Sequence, residues 1–108
     1  MSFARIAVAV AILTVSFSAM SVDDKAAMKL ARKSGCLKCH AIDKKKDAPS
    51  LQDIAAKHKG KADAKDELFT HLTTHPMVEV DGKKEKHDSL KTDDEAEIRN
   101  VIDWILAM

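Results

Sequence analysis

Cys36 and Cys39 are the only cysteines of the chain, and His40 follows directly. Cys-x-x-Cys-His is the attachment signature of c-type haem. The chemistry explains the spacing. Two thiols add across the two vinyl groups of one porphyrin, and the next histidine supplies an imidazole to the iron from the same side. The predicted roles are thioether attachment for Cys36 and Cys39 and proximal iron ligation for His40, around one covalent haem c.

Two other chemistries use similar residues. A dithiol redox site expects a βαβ context, and no convincing strand flanks residues 36–40. A structural zinc site wants four ligands, whereas Cys36, Cys39 and His40 make three and no second cysteine pair exists. A disulfide between Cys36 and Cys39 would close a tiny loop and constrain almost nothing.

The first 21 residues read as an export signal. Arg5 is the only charge before Asp23, Ile6 to Val15 is apolar apart from Thr14, and Ala19-Met20-Ser21 fits a small-x-small cleavage site. The apolar run is short for a bilayer span of about 20 residues. The expectation is cleavage with no membrane anchor left, a signal over 1–21, a mature domain over 22–108 starting at Val22, and a periplasmic location. Export suits haem attachment, which bacteria perform outside the cytoplasmic membrane.

Losing Arg5 with the signal turns 18 basic residues into 17, against 17 acidic ones. A chain so near neutrality is not a general nucleic-acid binder. Its 87 mature residues suit one domain. Only Phe69 and Trp104 are aromatic in that part, and a small domain with so little apolar volume needs a staple. A buried haem would supply it.

The elements that must hold these residues read as helices. Asp24 to Ser34 is rich in Ala, Lys, Leu and Met, good helix formers, and Gly35 stops it. Residues 41–49 read as a lysine-rich loop ending at Pro49. Ser50 caps a helix running to about Lys59, ended by Gly60. Asp63 caps another, carrying Leu68, Phe69 and Leu72 and stopped by Pro76. Residues 76–91 read as a long charged loop. Thr92 to Glu95 read as a capping box, and Ile98, Val101, Ile102 and Ile105 form one buried stripe of the last helix.

In this order of elements, and in the wording Cys39-His40-Ala41-Ile42-Asp43, Pro49, Gln52 to Lys57 and Trp104, the chain resembles the small bacterial class I cytochromes c over nearly all of residues 23–108. The resemblance implies an all-α fold of about four helices wrapped around one haem, with the first and last helices crossing. It implies that the second nitrogen of His40 donates to the carbonyl of Pro49. Ala48 stands where the family usually has glycine.

The family takes its sixth iron ligand, a methionine, from the loop before the last helix. His75, Met77 and His87 lie there, whereas Met28 and Met108 do not. Met77 has the family chemistry, and thioether ligation raises the potential, but it comes directly after the third predicted helix. His87 occupies the late position, with only Asp88 to Lys91 between it and Thr92, and imidazole is a good iron ligand. His87 is the predicted distal ligand, with Met77 the alternative. The competing readings are an exposed histidine in a charged loop and a methionine packed against Phe69 or Leu72. His58 and His71 fall within helices, where packing or solvation is expected.

Two protein ligands leave no site for substrate. The expected function is one-electron transfer by Fe(III)/Fe(II) cycling in a monomer that is not an enzyme. Lys38, Lys44, Lys45 and Lys46 could steer an acidic redox partner to the haem edge, or form an ordinary solvated cluster. Lys57 is a candidate for contact with a haem propionate. Two alternatives remain: a haem-carrying subunit of a larger oxidoreductase, and a ligand-binding haem sensor with a displaceable distal residue.

Overall fold

A computed structural model describes residues 3–4, 6–14 and 21–108. Arg5 and most of the expected cleavage site lie outside the described residues. Residues 6–14 are exposed and carry no regular secondary structure. No helix among the described residues is long and apolar enough to cross a membrane.

The described chain forms α1 (Asp24–Lys33), α2 (Cys36–Cys39), α3 (Leu51–His58), α4 (Ala64–Thr73), β1 (Met77–Val80), β2 (Lys83–Lys86) and α5 (Glu95–Leu106). α5 is the hub and packs against α1, α3 and α4. Its stripe of Ile98, Val101, Ile102 and Ile105 is buried as expected, together with Trp104. Ala27, Leu30 and Ala31 of α1, Leu51 of α3 and Leu68 and Leu72 of α4 complete the core. The first and last helices are thus the packed pair that the family resemblance implies.

A reciprocal bond pins that pair at one end. The Asp23 backbone N–H donates to Asn100 Oδ1 at 2.9 Å, and Asn100 Nδ2 donates to the Asp23 carbonyl at 2.9 Å. Asp23 also caps α1 through its carboxylate, which accepts from the Ala26 N–H. Gly35, at φ 79°, takes the left-handed conformation that ends α1 and starts α2, at no steric cost to a residue without Cβ.

The mainly helical class holds, while the loop over residues 76–91 and two helix caps need correction. The fold has five helices among the described residues, because the haem motif itself forms the short α2, and it adds a two-stranded sheet. That sheet lies inside the segment read as a long loop. β1 and β2 pair antiparallel, Met77 opposite Lys86 and Val80 opposite Lys83. Asp81 (φ 51°) and Gly82 (φ 77°) turn the chain with two positive φ values, the type I′ signature whose twist matches a tight hairpin. Every residue of β2 is exposed and polar, so no apolar alternation marked it.

Thr92 is not the cap of α5. Asp94 holds that position and accepts from the Ala96 N–H at 2.9 Å. Thr92 instead accepts from the Asp94 N–H and donates to Glu97, while Glu95 pairs with Arg99 one turn on. A carboxylate at the positive end of the helix dipole is the stronger acceptor, and Thr92 braces the turn before it. Asp63 occupies the cap position of α4, but its side chain makes no capping bond.

Candidate haem site

The proximal side is built outward from Ser50. The residue is 2 % exposed, and its hydroxyl accepts from the Asp53 N–H at 3.0 Å, capping α3 as predicted. The loop before it is tied back by Ala48 N–H to the Cys39 carbonyl at 3.0 Å and by Leu51 N–H to the Ala41 carbonyl at 2.9 Å. Between these anchors the Pro49 carbonyl meets His40 Nδ1 at 2.7 Å. A carbonyl can only accept, so Nδ1 carries the proton and Nε2 keeps its lone pair for a metal. The expected bond from His40 to the Pro49 carbonyl is present, and Ala48 in place of glycine does not prevent it.

Cys36 and Cys39 are both free and half-buried on α2. Burial pushes the Cys36 thiol above its ordinary pKa, and the Asp88 carboxylate adds to the shift. That carboxylate belongs to the segment after the hairpin, so this segment passes beside the attachment motif.

The same segment carries His87. Its N–H donates to the Pro76 carbonyl at 2.8 Å, extending the hairpin pairing by one rung. Leu90 is buried and its N–H donates to the Leu72 carbonyl at 3.0 Å. Lys91 N–H donates to Ser34 Oγ at 2.9 Å, and Ser34 is itself buried at the end of α1. These bonds bring the His87 ring centre to 6.3 Å from that of His40, with the planes inclined by 52°. His87 Nδ1 is buried with no hydrogen-bond partner. Burial lowers the pKa of His87, and also that of His71, whose ring centre lies 4.2 Å from it. Both are thereby held toward the neutral form that binds metals.

The other candidates lie elsewhere. Met77 is 60 % exposed on β1 and is not among the residues of the core cluster that holds Leu72 and, at its margin, Phe69. Phe69 instead carries the Arg99 guanidinium 4.9 Å above its ring. His75 sits at φ 50° in the exposed turn after α4. His58 is packed, with Nδ1 donating to the Ile54 carbonyl at 2.9 Å and Nε2 3.3 Å from Glu67. Lys57 is exposed on α3, and Lys38, Lys44 and Lys45 are exposed beside the attachment motif. Lys46 reaches the Leu37 carbonyl at 3.2 Å. Sequence reasoning missed Ser34 and Asn100, whose partners lie 57 and 77 residues away, and it left His71 among the merely packed.

The donor set suits a covalent haem: two reduced thiols on one turn, an imidazole beside them oriented by a carbonyl, and a second imidazole across a gap. The chain matches the cytochrome c family model over residues 25–108. It is 37% identical over 79 residues to cytochrome c2 of Rubrivivax gelatinosus, covering 72% of this chain and 92% of that protein. It is 41% identical over 60 residues to cytochrome c-551 of Allochromatium vinosum, 54% of this chain and 64% of that protein. Among solved structures, class 1 cytochrome MtoD from Sideroxydans lithotrophicus ES-1 aligns with a TM-score of 0.77 at 42% identity, over 81% of this chain and 97% of that one. Nitrosomonas europaea cytochrome c552 aligns at 0.56 and 29% identity, over 73% and 95%. The chain belongs to the cytochrome c family, with the class I fold. It is a monohaem c-type cytochrome, and its function is electron transfer.

Proposed function

We propose that this cytochrome is an exported, periplasmic one-electron carrier in which His40 and His87 hold the iron from opposite sides. The observation that carries the reading is the 6.3 Å between their ring centres. Two imidazoles binding one metal in trans, each nitrogen about 2 Å from it, have ring centres roughly 6 Å apart. The exposure of Met77 on the hairpin supports the same assignment, since a ligand must face the prosthetic group.

When bound, the haem supplies the Fe(III)/Fe(II) couple. Cys36 and Cys39 anchor it, and Pro49 holds the His40 ring in the tautomer that presents Nε2. Pro76, Leu72 and Ser34 hold the backbone around His87. With His40 and His87 both holding the iron, no position would remain for substrate, and the protein would carry electrons without catalysing a reaction of its own. Imidazole in place of thioether gives a lower potential than the His/Met pairing.

The exposed Lys38, Lys44 and Lys45 steer an acidic redox partner toward the attachment side, and Lys57 is available to a propionate. The carrier works as a monomer. The ferric protein is expected to lack the weak far-red charge-transfer band of methionine-ligated haem. A band that disappears in Met77→Ala and survives in His87→Ala would overturn the ligand assignment.

A further inference from the structure

We infer that His71 is the positioning residue of the distal ligand: its ring, packed against that of His87, holds the imidazole in the plane from which it binds iron. The inference rests on the ligation proposed above.

A metal-binding histidine is ordinarily oriented by a hydrogen bond from its second nitrogen. His40 has that bond, to Pro49 at 2.7 Å. His87 has no such bond within hydrogen-bond geometry: its Nδ1 is buried without a partner, and the Asp88 backbone beside it acts on the ring only as a weak electrostatic neighbour. The backbone of His87 is tied at Pro76 and beyond it at Leu72 and Ser34, but these bonds leave the ring free to turn about its side-chain torsions. The contact that remains is His71, half-buried on α4, with ring centres 4.2 Å apart and planes inclined by 51°. That is a tilted aromatic pair at close range. Leu72, next to His71, is buried in the core and accepts the Leu90 N–H through its carbonyl. The helix that carries His71 is therefore fixed to the segment that carries His87, and the two rings keep their spacing. Proximal orientation is polar, and distal orientation is by packing.

Packing predicts a specific pattern of variants. In the holoprotein, His71→Ala removes the ring against which His87 rests, and His71→Phe keeps a ring. The reduced protein is mixed with carbon monoxide, which captures the iron whenever His87 leaves it. Losing the aromatic contact is expected to speed capture about tenfold, and to shift the g-values of the low-spin ferric signal, which report the relative orientation of the two imidazole planes. His71→Phe is expected to stay within about twofold of the parent. If His71→Ala does not accumulate with haem, His71→Leu, which fills the volume without a planar ring, carries the same expectation.

Unchanged capture and g-values in these variants would overturn the inference. So would a loss in His71→Phe equal to that in His71→Ala, or an effect seen only in Ser89→Ala, whose hydroxyl is the other buried side-chain group without a partner. A parent protein with methionine-type ferric spectra would instead sink the His87 ligation itself, so the two failures are distinguishable. Thermal unfolding of each variant separates loosening of the ligand from loosening of the fold.

Discussion

The imidazoles of His40 and His87 lie 6.3 Å apart with their planes inclined by 52°, although the residues are separated by almost half the chain. The fold creates this relationship by two different routes. His40 is fixed locally, by α2 before it and by the Pro49 carbonyl nine residues on. His87 is fixed from afar, by bonds to Pro76 and, through its neighbours, to Leu72 and Ser34.

Ser50 couples stability to proximal geometry. Its buried hydroxyl caps α3 and sits next to the carbonyl that orients His40. Ser50→Ala is expected to cost about 1 kcal/mol, typical of a lost cap. In a domain of this size that lowers the unfolding midpoint by several degrees, about 4–8 °C per kcal/mol. Calorimetry of the holoprotein measures it.

Asn100 tests the joint between the first and last helices. Asn100→Ala removes both bonds to Asp23 and is expected to destabilise by roughly 1–2 kcal/mol. The haem spectrum is expected to stay unchanged, because these bonds join α1 to α5 and involve none of the histidines. A spectral change with unaltered denaturant midpoint would contradict this division of labour.

The signals read from sequence were the short-range ones. Cys36, Cys39 and His40 are contiguous, Ser50 caps the helix that follows it, and the stripe from Ile98 to Ile105 repeats within a single helix. The hairpin was harder to see. Asp81-Gly82 is a strong turn signal, but Lys83 to Lys86 offers no apolar face. The cap of α5 is ambiguous in sequence, because Thr92, Asp93 and Asp94 can all cap, and tertiary context selects Asp94. Ser34 with Lys91 and Asn100 with Asp23 left no local trace at all. The position of His87 was readable from its place in the loop, whereas its contact with His71 depends on how α4 packs.

The lysines near the attachment motif act at encounter. Replacing Lys44 and Lys45 by Glu is expected to slow electron transfer to an acidic partner several-fold at low salt. The difference should shrink once ionic strength brings the Debye length to about 8 Å or less. Stopped-flow traces over a salt series measure it, and a salt-independent difference would argue against steering.

Carbon monoxide separates carrier from sensor. The reduced parent protein is expected to bind it slowly, because His87 must leave first, and His87→Ala is expected to bind it at least about tenfold faster. Fast, tight binding by the parent would favour a ligand-binding role.

X-ray absorption at the iron edge of the ferric holoprotein tests the central claim most directly. The account predicts a first shell of nitrogens alone, four from the porphyrin and one each from His40 and His87. A sulfur scatterer at about 2.3 Å, a bond length typical of metal–sulfur ligation, would contradict it and return the sixth position to a methionine.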